Sequence, residues 1–275
     1  MDKFVIQGGV PLRGVVTPSG NKNAALPLLA ACLLTTEPII LHNLPEIKDV
    51  QAMRALLKSL GVDVEYLQDH SWRIQAENVV ASKLDKDICC QIRASILLAG
   101  PMSARTGWLV LPPPGGDVIG RRRVDTHILA LESLGVQAEY NKEERVFEFA
   151  ANQLRGKDIL LDEASVTATE NAIMAAVTAD GNTVLRNAAS EPHVQELCLL
   201  LNTLGARIEN IGSNTLHITG VPELHGGEFT IGPDYLEVVS FIGAAAVTGG
   251  EIRIKNAGPK YLDMIKLVFY RLGVR

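Results

Sequence analysis

A lysine stands where an apolar segment begins. In Ser19-Gly20-Asn21-Lys22-Asn23 the ammonium of Lys22 falls at the start of a predicted helix, where the helix dipole opposes a cation. An anion should compensate. Free amides at a helix start together with an ammonium make a seat for a phosphate or carboxylate, although a solvated lysine beside a capping asparagine has the same pattern. A second cation, Arg93 in Arg93-Ala94-Ser95, lies near the start of another apolar segment, where burial would oblige it to meet an anion.

The densest cluster runs Pro112-Pro113-Pro114-Gly115-Gly116-Asp117-Val118-Ile119-Gly120-Arg121-Arg122-Arg123-Val124-Asp125-Thr126-His127. Its prolines and glycines predict an exposed loop. Three consecutive arginines beside an acid and a histidine form a local anion site, with a solvated basic turn as the plainer alternative. The basic run is short and has no interleaved aromatics, which argues against nucleic acid. Two more helix starts are polar. In Ser165-Val166-Thr167-Ala168-Thr169-Glu170-Asn171, Thr167 and Glu170 match a capping box, and capping alone would account for them. Asp234-Tyr235-Leu236-Glu237 is a similar acidic cap. The expectation is that the four starts converge on one place.

The elements that must position these residues repeat. Ser59-Leu60-Gly61-Val62-Asp63-Val64-Glu65, Ser133-Leu134-Gly135-Val136-Gln137-Ala138-Glu139 and Thr203-Leu204-Gly205-Ala206-Arg207-Ile208-Glu209 are versions of one phrase recurring about every 70 residues, and Arg271-Leu272-Gly273-Val274-Arg275 begins a fourth. Val50, Met53, Leu56, Leu57 and Leu60 recur at helical spacing before Gly61, which ends the helix; Val62, Val64 and Tyr66 then alternate as in a half-covered strand. A second kind of helix opens each unit. Ala24 to Leu34, Ala172 to Thr178 and Val238 to Val247 carry almost no charge, which predicts burial on all sides. Short strands follow these helices, at Pro38–Leu41, Trp108–Leu111, Thr183–Leu185 and Glu251–Ile254. One unit therefore reads helix, strand, helix, strand, strand.

Composition sets limits. At 275 residues, 47% hydrophobic and 21% charged, the chain can build large cores, and its length suggests two domains. A net charge of −5 gives no general reason to expect nucleic acid. Cys32, Cys89, Cys90 and Cys198 lie in apolar stretches without metal-ligand spacing and read as buried thiols of a reducing compartment. No secretory signal is visible, because Met1-Asp2-Lys3 leads directly into a strand-like Phe4-Val5-Ile6. The longest uncharged run is too short to cross a membrane. A cytoplasmic protein is expected.

These motifs resemble the UDP-N-acetylglucosamine enolpyruvyl transferases. The matches are Gly20-Asn21-Lys22-Asn23-Ala24-Ala25, Ile92-Arg93-Ala94-Ser95, Gly115-Gly116 through Ile119-Gly120 with Arg122, Val124-Asp125-Thr126-His127, Ser165 to Asn171, Asn187-Ala188-Ala189 with Glu191-Pro192, and Pro233-Asp234, in family order along the chain. The resemblance implies an α/β fold, an inside-out α/β barrel of repeated βαβαββ units. Residues 22–229 would be a complete three-repeat domain, and 1–21 with 230–275 an incomplete second one. It implies phosphoenolpyruvate and UDP-N-acetylglucosamine as substrates and no cofactor or metal. Lys22, Asn23, Arg93 and Arg122 would hold phosphoenolpyruvate. Arg93, Arg122, Arg123, Val124, Asp125, Thr126, Ser165, Val166, Thr167 and Asp234 would contact the UDP-sugar, with His127 as a helper. The sugar 3-hydroxyl adds to the enol carbon and phosphate then leaves, which requires a proton donor, a base and positive charge around the intermediate.

Two departures from the family stand out. Asp117 occupies the loop position that usually holds cysteine. A carboxylic acid there can donate the same proton if burial or ligand anions lift its pKa from ~3.9, a lift that Arg121 to Arg123 oppose until substrate anions neutralise them. With Asp117 and Lys22 as catalytic residues, the chain would resist fosfomycin, which alkylates that cysteine. The family also continues for two more repeats, carrying the base and further arginines, so these 275 residues alone are expected to bind substrates weakly and turn over negligibly. Among other readings, a shikimate-pathway enolpyruvyl transferase would begin its first helix with a Gly-Ser-Lys-Ser phrase. RNA 3′-phosphate cyclases share the unit but would need contacts to ATP and RNA that are not seen. A non-catalytic repeat scaffold would need no arginine cluster beside a glycine loop.

Overall fold

The computed structural model describes residues 3–80, 82–116 and 123–274. The chain forms two compact units, Lys22–Ile231 and a smaller one made of Met1–Asn21 with Gly232–Arg275.

The larger unit contains three versions of one motif. The first runs α1 (Lys22–Ala31), β2 (Ile39–His42), α2 (Lys48–Ser59), β3 (Asp63–Gln68) and β4 (Ser71–Gln75); β1 (Arg13–Val16) belongs to the smaller unit. The second has a short α3 (Lys86–Cys89), a 3-10 turn at Arg93–Leu98, α4 (Ala99–Arg105), β5 (Trp108–Leu111), α5 (Asp125–Ser133), β6 (Gln137–Asn141) and β7 (Val146–Ala150). The third is β8 (Asp158–Leu160), α6 (Val166–Ala176), β9 (Asn182–Arg186), α7 (Pro192–Thr203), β10 (Arg207–Glu209) and β11 (Thr215–Thr219), followed by β12 (Gly227–Thr230).

Each repeat builds its own sheet. The orders are β12-β2-β4-β3, β5-β7-β6 and β8-β9-β11-β10, with antiparallel partners inside each repeat. A parallel strand is added at the edge: β8 beside β9, β12 beside β2, and a single bridge from Lys83 to Val110 beside β5. The first sheet thus takes its edge strand from the far end of the unit, through Ile39 against Gly227 and His42 against Thr230. This added strand turns the expected helix-strand-helix-strand-strand unit into βαβαββ.

Inside the sheets lie the apolar helices. Leu28 and Leu29 of α1, Leu97, Leu98 and Met102 around α4, and Ile173 and Met174 of α6 are buried in one core. Burying a Leu or Ile side chain is worth about 1.5–3 kcal/mol, so these helices need no polar face. The second of them is irregular: Arg93–Leu98 winds as 3-10 before α4 continues from Ala99. The repeated glycine phrase closes α2, α5 and α7 in one way. Gly61, Gly135 and Gly205 adopt φ of +93°, +103° and +99°. Their N–H groups donate to the carbonyls of Lys58, Glu132 and Asn202, and the next residues donate to Leu57, Leu131 and Leu201.

In the smaller unit β1 pairs in parallel with β13 (Glu251–Ile254), beside α8 (Tyr235–Thr248) and α9 (Asp263–Arg271). Two expectations fail here. Phe4, Val5 and Ile6 form no strand and stand exposed; the strand begins at Arg13 instead. The apolar α8 is not buried: only Val238 is, and Val247 is 86% exposed. A two-stranded sheet and one further helix have too little surface to enclose it. Among the described residues, no helix is long and apolar enough to cross a membrane.

Candidate functional site

Within the larger unit, Lys22 is the first residue of α1 and meets an anion there, but an internal one. Its Nζ lies 2.6 Å from Oδ2 of Asp49, in the first turn of α2. Both side chains remain partly open to solvent, so the pair holds the ammonium in place without withdrawing it from a ligand. Local pattern gave no sign of Asp49, because the two helix starts are brought together only by packing of α1 against α2. Asn23, the next residue, is half-buried in the first turn of α1.

Arg93 begins the 3-10 turn and is half-buried, where burial was expected. Its Nη2 donates to the carbonyl of Arg123 at 2.9 Å, so the second repeat's helix start grips the end of the arginine loop. Arg123 pairs with Asp125, the first residue of α5. Val124 precedes that helix, and the Thr126 hydroxyl donates to Asp162 at 2.7 Å. Asp117 and Arg122 lie outside the described residues.

Ser165, not Thr167, caps α6. Its Oγ accepts from the Ala168 N–H, while Val166 and Thr167 form the first turn. The capping-box expectation also fails at Glu170, which is buried and lies five residues past the true cap instead of three. Burial, then the negative charge of Glu191, holds its carboxyl well above the ordinary carboxylate range. Thr167 instead shares a 3.1 Å hydrogen bond with Nε2 of His127. His127 is buried beside Asn171, whose amide lies 2.8 Å from Nδ1. Burial, and then the Arg93 charge, push the imidazole down to about 3, so it is neutral near pH 7. Asn171 lay inside a recognised motif, yet its type alone gave no role.

Arg93, Arg123, Asp125, Thr126, His127, Thr167 and Asn171 thus form one continuous patch across the starts of the 3-10 turn, α5 and α6. Cation, hydroxyls and helix-start amides together suit an anionic, hydroxyl-rich ligand. Asp234 caps α8 in the smaller unit, accepting from the Leu236 N–H at 2.8 Å. Among the described residues no cluster of His, Cys, Asp or Glu could hold a metal ion. Of the four cysteines expected to be buried, Cys90 is exposed, because it lies just past the end of the short α3.

Residues 6–274 match the sequence model of the EPSP synthase (3-phosphoshikimate 1-carboxyvinyltransferase) family. The chain is 54% identical over 274 residues to the UDP-N-acetylglucosamine 1-carboxyvinyltransferase of Treponema denticola, covering all of this chain and 64% of that protein. It is 52% identical to the enzyme of the same name from Bradyrhizobium diazoefficiens, covering 99% of this chain and 62% of the relative. The chain therefore spans just under two thirds of these relatives. Among solved structures, the enolpyruvyl transferase NikO from Streptomyces tendae superposes with a TM-score of 0.84 at 24% identity, over 98% of this chain and 64% of that one. EPSP synthase from Acinetobacter baumannii gives 0.69 at 19% identity, over 88% and 54%. These two likenesses show the fold.

Proposed function

Given that the chain belongs to the EPSP synthase family, we propose that it carries the larger part of an enolpyruvyl transferase that moves the enolpyruvyl group of phosphoenolpyruvate to the 3-hydroxyl of UDP-N-acetylglucosamine. The observation that carries this reading is the patch of Arg93, Arg123, His127 and Thr167 on adjoining helix starts, in a chain about half identical to relatives named for that nucleotide sugar. Phosphoenolpyruvate belongs with Lys22, Asn23, Arg93 and Arg122, where a carboxylate and a phosphate meet cations. The UDP-sugar belongs with Arg93, Arg122 to Thr126 and Ser165 to Thr167. The product would feed peptidoglycan precursor synthesis in the cytoplasm, and four free thiols fit a reducing compartment.

Asp117 is the proposed proton donor to the methylene carbon, and Lys22, steadied by Asp49, stabilises negative charge on the phosphoenolpyruvate as the tetrahedral adduct forms. An aspartate offers fosfomycin no thiolate, so the enzyme is expected to escape time-dependent inactivation. Calorimetry tests the substrate assignment. The chain should give saturable heat with UDP-N-acetylglucosamine and none with shikimate 3-phosphate at equal concentration; the reverse preference would reject the reading.

A further inference from the structure

The orientation of one side-chain amide fixes the tautomer of a histidine that donates to a hydroxyl in the patch. Asn171 is fully buried, and two backbone groups of known polarity define which end of its side chain is which. The Gly100 N–H donates to its Oδ1 at 2.8 Å, and its Nδ2 donates to the Ile96 carbonyl at 2.8 Å. A flipped amide would oppose donor to donor and acceptor to acceptor at both contacts. The second hydrogen of Nδ2 therefore points at Nδ1 of His127, 2.8 Å away, and Nδ1 must accept. A neutral imidazole whose Nδ1 accepts carries its proton on Nε2. That proton is then donated to Oγ1 of Thr167 at 3.1 Å. His127 is the hydrogen-bond partner that Thr167 has among the described residues, and Thr167 is half-open to solvent.

We propose that Asn171 and His127 are positioning residues whose Nε2–H occupies one lone pair of the Thr167 oxygen and leaves the hydroxyl proton for an outside acceptor, so that Thr167 donates to an anionic oxygen of the nucleotide sugar. The ligand half of this proposal rests on the substrate reading given above; the tautomer half does not. Gly100 belongs to the device. A Cβ there would lie 2.5 Å from the Asn171 carbonyl oxygen and 2.8 Å from Oδ1, so only glycine lets this helix come close enough to orient the amide. Burial, and then the charge of Arg93, keep the His127 ring neutral, as the relay requires.

The test uses the full chain labelled with ¹⁵N-histidine, with His127 assigned by the signal lost in His127→Gln. At neutral pH a long-range ¹H–¹⁵N spectrum should show His127 with Nδ1 bare and Nε2 protonated. The opposite tautomer, or an imidazolium, overturns the relay. In Asn171→Asp the carboxylate should draw a proton onto Nδ1; an unchanged spectrum from this variant, folded by its dispersion, also overturns it. For the ligand half, UDP-N-acetylglucosamine is titrated into Thr167→Ser and Thr167→Val. The serine variant should keep the parent affinity, and the valine variant should lose about tenfold or more, the worth of a hydrogen bond to a charged acceptor. Parent-like binding by Thr167→Val refutes the donor role while sparing the substrate reading. Failure of the parent chain itself to bind refutes the substrate reading and, with it, the donor's target.

Discussion

Two buried titratable side chains near the patch act in opposite directions with pH. His127 is held neutral, its pKa lowered from 6.5 to about 3, so folding gains from its burial fully above pH 6.5 and loses that gain as pH falls toward 3. Glu170 is held protonated, so its contribution is complete below about pH 4.5 and is lost as pH rises through its elevated folded value. Urea unfolding across pH 4 to 8 should show a shallower acid limb in His127→Gln and a gain over the parent at pH 8 in Glu170→Gln; an unchanged alkaline limb in the latter would mean that Glu170 ionises freely. Thiols separate as sharply. Burial raises Cys32, Cys89 and Cys198, the last two to about 12, whereas Cys90 is exposed. One of the four thiols of the folded chain should therefore react quickly with Ellman's reagent, and Cys90→Ser should remove that phase. At this scale the sequence displayed the charged members of the patch but not its geometry. Arg93, Arg123 and His127 announce themselves by type. Asp49 and Asn171 do not, because their partners lie on other helices and only tertiary packing selects them, and the true cap Ser165 is hidden by Thr167, an equally good capping type two residues on.

Helices that are apolar on every side were legible wherever a complete set of sheets surrounds them. Composition predicted burial of α1, α6 and α8 alike, and packing grants it to the first two; α8 has the same composition beside a two-stranded sheet that buries one of its residues. Periodicity reports what a segment could bury, not how much surface its neighbours supply. Close approach between central helices leaves little slack. Gly100→Ala should destabilise the larger unit by about 1–3 kcal/mol in denaturant titration, since the new methyl must displace α6 backbone, whereas Gly181→Ala meets open space and should cost only its φ of +91°. Equal losses at both sites would show that the α4–α6 contact yields easily. Gly115 is tighter still: its Cβ would lie 1.8 Å from the Cys90 carbonyl, which ties the base of the arginine loop to the end of α3.

Across the whole molecule, protection should be unequal. Amides of α1, α4 and α6 are sealed in one core, whereas α9 buries no residue and α8 one. Hydrogen exchange should therefore be slow in the larger unit and at least tenfold faster in α8 and α9; uniform protection would contradict the burial seen. The repeat period made the three-fold plan of the larger unit readable from its glycine phrases, but not which strand completes which sheet. Pairing of β12 with β2 is a long-range choice that no local signal carries, and it has a temporal side. On the ribosome, the first repeat emerges early yet must wait, one strand short, until the polypeptide has been synthesised past Thr230. Nascent chains arrested before that point should be open to proteases along Ile39–His42 and prone to pairing with one another.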